Sequence, residues 1–309
     1  MKKSKTESTN NQDRREFLKK GLMASSLAAS TSALLNFQND DVEESGDTVE
    51  LMSPEGEIVE VDKAYLKPIP DVPVDLQKAR EGVPGRKFVM VIDLSRCKNL
   101  KKCQEACQKM HYLPPEKEWL KVLKMQDNDI TSPYWQPTVC FHCDNPPCVK
   151  VCPVDATFKR SDGTVLIDTE RCIGCRFCMV ACPYSARTFD WSEPDQPEEV
   201  MEMEYSPETS CPAKMGTVSK CDFCPDMARK GELPHCVTAC PNGVFYFGDE
   251  NEDAVSNGDV TVKLSQLLKD KSGYRYMEDL GTKPRVYYLP PVNRLFPFED
   301  EEASAEEGH

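Results

Sequence analysis

The sequence predicts an α+β fold: short strands and short helices around bound metal, joined by long loops and carrying N- and C-terminal extensions. Three observations predict it. Fifteen of the 16 cysteines fall into four runs. Strand-like apolar stretches flank those runs, and helix-compatible stretches follow their last cysteine pairs. Hydrophobic content is ordinary at 39%, yet the 309 residues include 24 Pro and few aromatics, which suits a loop-rich body held partly by metal.

The N-terminus reads as an address. Residues 13–19 are DRREFLK, with twin Arg14-Arg15 followed by Phe17, Leu18 and Lys19. A weakly apolar, Ala/Ser-rich stretch runs from Gly21 to Leu35, shorter than the roughly 20 residues a membrane-spanning helix needs. The pattern looks like a twin-arginine (Tat) signal over residues 1–35, with Asp13 where Ser or Thr is usual. Cleavage after Thr31-Ser32-Ala33 and retention as an anchor both remain open. Such a signal implies export in the folded state, cofactors already inserted, to the periplasm or the outer face of the cytoplasmic membrane. The formal net charge is −14; residues 1–35 carry seven Lys or Arg against three acids, so the remaining chain stands at −18. A body this acidic does not gather nucleic acid or an anionic membrane surface by bulk electrostatics.

Residues 36–85 are expected to form an N-terminal hairpin and linker. TVELMSPEGEIVEV (48–61) reads as two strands around a Pro-Glu-Gly turn, and a Pro-rich stretch from Lys67 to Pro73 leads onward. The core is placed at 86–250. Within it, Phe88 to Asp93 is a strand feeding the first cysteine run; Thr164 to Asp168 and Val244 to Phe247 are its counterparts beside later runs. QEACQKMH and CMVACPYSA are the helices that follow. Residues 192–219 form an insertion rich in Glu and Pro that holds the leftover Cys211. A C-terminal extension, 251–299, begins with an expected helix from Val262 to Lys271 and continues into KPRVYYLPP. The acidic tail, 300–309, is expected to be a solvated segment.

The runs carry the chemistry. Cys172, Cys175, Cys178 and Cys182 followed by Pro183 have the spacing C-x2-C-x2-C-x3-C-P. That is the bacterial ferredoxin pattern for cubane iron–sulfur clusters, in which the fourth Cys ligates the neighbouring cluster. The second run is Cys140-x2-Cys143-x4-Cys148-x3-Cys152-Pro153, and the last is Cys221-x2-Cys224-x11-Cys236-x3-Cys240-Pro241. The first, Cys97, Leu100, Cys103, Cys107, keeps the spacing but has leucine where one thiolate belongs. Four such runs predict tandem bacterial-ferredoxin-like (4Fe–4S) domains. A disulfide framework does not need this spacing, and zinc does not account for triplets plus a distant cysteine before Pro. His111, His142 and His235 lie near runs and are expected to pack or hydrogen-bond. No catalytic constellation accompanies the cysteines, so the chain is read as non-catalytic.

This set of runs resembles the four-cluster iron–sulfur electron-transfer subunit of the complex iron–sulfur molybdoenzyme family, which includes dimethyl sulfoxide, tetrathionate and polysulfide reductases, NrfC-type proteins and alternative complex III. The resemblance covers about residues 86–250, and KPRVYYLP is similar to a segment beyond the last cluster in such subunits. It implies that runs two and three exchange their fourth cysteines, as do runs one and four. Cys140, Cys143, Cys148 and Cys182 would then hold one [4Fe–4S] cluster. Cys172, Cys175, Cys178 and Cys152 would hold a second, and Cys221, Cys224, Cys236 and Cys107 a third. Cys97, Cys103 and Cys240 are left for the remaining site, where three thiolates suit a [3Fe–4S] cluster. Recruitment of Cys211 there, or a water completing a fourth [4Fe–4S] cluster, are the alternatives. The resemblance further implies a molybdopterin-type catalytic subunit and an NrfD-type integral membrane, quinone-interacting subunit as partners. The function expected is electron transfer between them. A catalytic oxidoreductase using the open iron site that Leu100 creates, and a stand-alone exported polyferredoxin carrier, are the other readings.

Overall fold

A computed structural model describes residues 48–52, 58–62, 76–128 and 131–292. The Tat-like segment and the acidic tail lie outside the described residues. The elements, in chain order, are β1 (Thr48–Met52), β2 (Ile58–Asp62), α1 (Leu76–Glu81), β3 (Phe88–Asp93), α2 (Lys102–Met110), β4 (Lys121–Met125), β5 (Tyr134–Thr138), α3 (Pro147–Lys150), β6 (Thr157–Lys159) and β7 (Val165–Ile167). They continue with α4 (Phe177–Val180), β8 (Thr188–Phe189), α5 (Glu198–Met201), β9 (Val218–Ser219), α6 (Pro225–Arg229), α7 (His235–Thr238), β10 (Phe245–Asp249), β11 (Ala254–Ser256), β12 (Thr261–Lys263), α8 (Leu264–Asp270) and β13 (Val286–Leu289). Helix and strand are mixed along the chain, as an α+β fold requires. β1 and β2 pair antiparallel from Thr48↔Asp62 to Met52↔Ile58.

Two strand pairings position the cysteine runs. β3 leads into the first run and β10 follows the last; they pair antiparallel from Phe245↔Ile92 to Asp249↔Phe88. That ladder brings the two ends of the core together. β6 follows the second run and β7 precedes the third; they form a tight hairpin, Thr157↔Ile167 to Lys159↔Val165. The inner pair of runs is thus inserted in sequence between the outer pair.

β3 sits inside a five-stranded sheet ordered β12-β11-β10-β3-β13. Every residue of FVMVID is buried, and the period of two splits them between faces. Phe88, Met90 and Ile92 pack into the core that contains most of the outer-run cysteines, with Phe223, Phe245 and Tyr288. Val89 and Val91 face the other way, against Tyr246, Val255, Leu264, Leu267 and Leu289. The KPRVYYLPP segment supplies β13, which runs parallel to β3 from Val286↔Met90 to Leu289↔Asp93.

Local structure departs from expectation in two places. The helix expected from Val262 is instead strand β12 up to Lys263, because Thr261 and Val262 pair with Ser256 and Val255 and β-branched residues suit a ladder. Helix α8 starts only at Leu264, burying Leu264 and Leu267. The helix expected across CMVACPYSA is one turn long, Phe177–Val180, since the chain must turn at Cys182-Pro183.

Arg285 ties the extension to the core. It is 2% exposed and donates to Phe88 O at 2.7 Å. It also donates to Lys87 O at 3.1 Å, to Asp144 at 3.3 Å and to Glu250 Oε2 at 3.0 Å. Gly163 (φ +86°) lets the β6–β7 turn approach it, because a Cβ there would lie 2.6 Å from Arg285 Nε. Burial alone would raise the Asp144 carboxyl, but Lys159 and Arg285 together hold it below the usual carboxylate range. Removing the guanidinium strands two backbone carbonyls and two partly buried carboxylates. Arg285→Met is therefore expected to destabilise the iron-loaded protein by about 2 kcal/mol, read as a lowered thermal midpoint; an unchanged midpoint would show that β13 is held by packing alone.

Candidate metal centres

Each run is a tight loop whose backbone enters the left-handed region. Asn99 and Lys101 do so in the first run, His142 in the second, Gly174 and Arg176 in the third, and Phe223 and Cys224 in the fourth, with φ between 42° and 68°. Most are not glycine, so the surrounding structure must hold this backbone in place. At Gly174 the side chain is excluded outright: a Cβ would sit 2.3 Å from Gly216 O. These turns aim backbone N–H groups at sulfur. Asn99 N–H faces Cys97, Tyr184 and Ala186 face Cys182, and Val154, Ala156 and Thr157 face Cys152.

Four cavities line up with four sets of cysteines. Cys97, Cys103 and Cys240 surround one, together with Leu100. Cys140, Cys143, Cys148 and Cys182 surround a second. Cys152, Cys172, Cys175 and Cys178 line a third. Cys107, Cys221, Cys224 and Cys236 line a fourth, walled by Met90, Leu120, Val139 and Phe223. The structure therefore brings each run's first cysteines together with the last cysteine of another run. Within α2, Cys103 and Cys107 are one turn apart yet open into different cavities. Cys211 joins none of these sets; it lies beside Thr209 and Ser210 on a separate cavity under the insertion.

The donor chemistry fits polynuclear clusters better than disulfides or zinc. All sixteen cysteines are free thiols. Among the described residues, the only three potential ligand atoms within 4.8 Å of one another belong to His111, Asp222 and Cys224. Thiolates bound to one zinc at about 2.3 Å would sit about 3.8 Å apart, closer than any three cysteine sulfurs here. The thiols of each set stand round a space wider than one ion fills.

Burial pushes the Cys103, Cys143 and Cys221 thiols up to about 12, with neighbouring anionic groups adding to it. Cys107, Cys224 and Cys236 are raised in the same direction. Thiols this basic become thiolates only when a cation compensates them. Burial alone would also raise Cys152, but its three backbone N–H groups outweigh it and the thiol falls below its usual value. Among the histidines, His142 is fully buried, and its Nδ1 accepts from Val165 N–H at 2.9 Å. Burial first, then Lys220 and Lys159, keep it neutral. His111 Nε2 lies 3.5 Å from Cys224 Sγ.

The sites neighbour one another in a row. Cys103 of the first faces Cys107 and Cys236 of the fourth. Cys221 of the fourth faces Cys140 of the second. Cys148 of the second faces Cys178 of the third. The fourth site is wholly buried, whereas Cys175 is exposed and Cys97 and Cys240 are half-buried. Sequence reasoning missed two buried cations in this row. Arg187 stands against Cys148, Cys178 and Cys140, and Lys220 donates to the carbonyls of Cys221 and Val165. Proximity to a cysteine run was their only signal in the sequence.

Comparison with known proteins bears on this arrangement. The family described as a 4Fe-4S dicluster domain matches residues 131–213 and 205–250. The chain is 35% identical over 297 residues to the selenate reductase B subunit of Mesobacillus selenatarsenatis, covering 91% of this chain and 98% of that one. It is 33% identical to the tetrathionate reductase B subunit of Salmonella typhimurium, over 73% of this chain and 82% of that protein. The iron-sulfur cluster-binding subunit of menaquinone reductase from Nitratidesulfovibrio vulgaris is 35% identical over 66% and 88% respectively.

Two outcomes follow for the thiols. Cys221→Ala removes one of the four thiols of a buried site and is expected to lower the bound iron by at least one atom per chain, while Cys211→Ala costs none; iron and sulfide assays on the purified variants decide it. Loading must displace protons from thiols raised by burial, so reconstitution of the iron-free chain should become more complete as pH rises and fail as it falls. Loading independent of pH would contradict that sign.

Proposed function

The chain belongs to the family of iron–sulfur subunits of multi-subunit oxidoreductases, and we propose that it carries three [4Fe–4S] clusters and one [3Fe–4S] cluster between a quinone-linked membrane subunit and a catalytic subunit. Like its relatives it is a non-catalytic electron-transfer subunit. The observation that carries the reading is the match between four cavities and four cysteine sets, three of them with four thiols and one with three.

Bound clusters supply one chemistry, the uptake and release of single electrons. The chain's own residues do the rest. Cysteine sulfurs hold the iron, backbone N–H groups steady the sulfur charge, and Phe141, Phe223 and Met90 keep water from the inner sites. The row of first, fourth, second and third sites supports a wire with two accessible ends. At one end Leu100 is 51% exposed; at the other Ile173, Phe177 and Val180 are exposed around Cys175. Apolar surface of this kind suits contact with other subunits.

The three-iron assignment rests on Leu100, which lines the first cavity and offers iron no ligand. Cys211 lies on a different cavity, which supports leaving the first site with three thiolates. The two paired strand sets, β3 with β10 and β6 with β7, support reading the core as tandem ferredoxin-like domains, one nested in the other. The catalytic partner is read as a molybdopterin-type enzyme and the membrane partner as an NrfD-type protein. No helix among the described residues is long and apolar enough to cross a membrane, so attachment falls to such a partner or to the N-terminal segment. Arg14-Arg15 and the stretch after them support export through the Tat pathway to the periplasm. The relatives' names differ in substrate, selenate in one and tetrathionate in another, which supports placing the choice of substrate in the catalytic partner.

Electron paramagnetic resonance tests the cluster set. The oxidised protein is expected to show one [3Fe–4S] signal, and Leu100→Cys to abolish it; a silent oxidised wild type would remove the three-iron assignment. Mild solubilisation of membranes tests the assembly. Co-purification with a larger subunit and an integral membrane protein is expected, and recovery as a lone soluble species would return the stand-alone carrier.

A further inference from the structure

Arg187 is the buried cation that the fold does not otherwise explain. It lies in the link between Cys182-Pro183 and β8, is 5% exposed, and lines the second cavity. Its Nη1 donates to Thr157 Oγ1 at 3.2 Å, whereas Nη2 is buried without an oxygen or nitrogen acceptor. Cysteines rather than carboxylates meet its charge, and they come from two sites: Cys148 and Cys140 from the second, Cys178 from the third. Cys148 and Cys178 themselves pack into one buried cluster with Val165, Ile167 and Val218.

A guanidinium cannot shed its proton, and an unpaired cation at this depth is costly. Lys220, the other buried cation, already spends its ammonium on two carbonyls. Arg187 has donors left over, and its guanidinium stands against thiols of two sets. Its fork can reach a sulfur on each side, which a point charge cannot do.

We propose that Arg187 is a positioning residue that bridges the second and third metal centres, donating to ligand sulfur of both and holding both reduction potentials up together. Each reduction adds one negative charge, and a fixed cation nearby stabilises the reduced state over the oxidised one. Because the same cation acts on both centres, it raises both potentials together and leaves the step between them unchanged. Without it both centres become harder to reduce, and the pair turns into a barrier between the fourth site and the exposed end. The inference rests on the reading of these cavities as cluster sites.

Potentiometric titration of the full iron-loaded chain, followed by electron paramagnetic resonance, tests it. In Arg187→Met the reduction equilibria of two clusters should each fall about tenfold, about 59 mV for a one-electron couple, while the other two stay in place. Arg187→Lys keeps the charge and should recover most of the shift. Arg187→Gln, which keeps donors without charge, replaces the Met variant should that one fail to hold iron. Unchanged potentials at full iron content would overturn the inference, as would a shift confined to one cluster or spread over all four. Equal loss of iron from all three variants would also overturn it, by assigning Arg187 to packing. A wild-type chain that purifies without clusters would instead sink the cluster reading, which separates the two failures.

Discussion

Each of the four cysteine sets is completed by a sulfur from another cysteine run, and the rest of the structure depends on that exchange. A loop of the C-x2-C type can present two or three thiols alone. It cannot present the last one, because the x3 step carries that cysteine away on a helical turn. The site therefore needs two distant stretches of chain held in fixed register. The β3–β10 ladder holds the outer runs in that register and the β6–β7 hairpin the inner ones. Each pairing is short, so the sites and the strands stabilise one another, and metal and fold are coupled.

The exchange also creates an electrostatic problem. The fifteen thiols of the four sets, most of them buried, would become anionic on binding iron, in a body already strongly acidic. The solvent-exposed acids are screened by water, but the buried sulfurs are not. The fold meets them with backbone N–H groups turned inward by left-handed residues and with two buried cations, Arg187 and Lys220. Neither cation is drawn into a carboxylate pair. Glu208 pairs instead with Arg160 and Arg229, which pins the insertion against the β6–β7 turn.

Burial is graded along the row of sites. The fourth site is sealed by Met90, Leu120, Val139 and Phe223, while the first and third open toward solvent at half-buried or exposed cysteines. A sealed middle keeps water and solutes from the metal; accessible ends let partners approach. The one residue missing from the pattern, at Leu100, falls at an end of the row and leaves the interior sets complete. The larger cavity beneath the insertion, with Cys211 on its wall, stands apart from the row.

Much of this was legible in the sequence. Cysteine spacing is set by local loop geometry, so the runs, the strand Phe88–Asp93 and the absence of a thiol at position 100 could be read directly. Local patterning failed where a neighbour decided the outcome: Thr261 and Val262 joined a strand because β11 was there to pair with them. The sequence alone thus determined which residues can hold iron and how many thiols each run offers, since spacing along the chain dictates what one loop can present. Only the tertiary structure decided the order of the sites, the place of Cys211 and the position of Arg187 between two sets of sulfurs. Those are relations between segments far apart in the chain, fixed by strand pairing and burial rather than by any local signal.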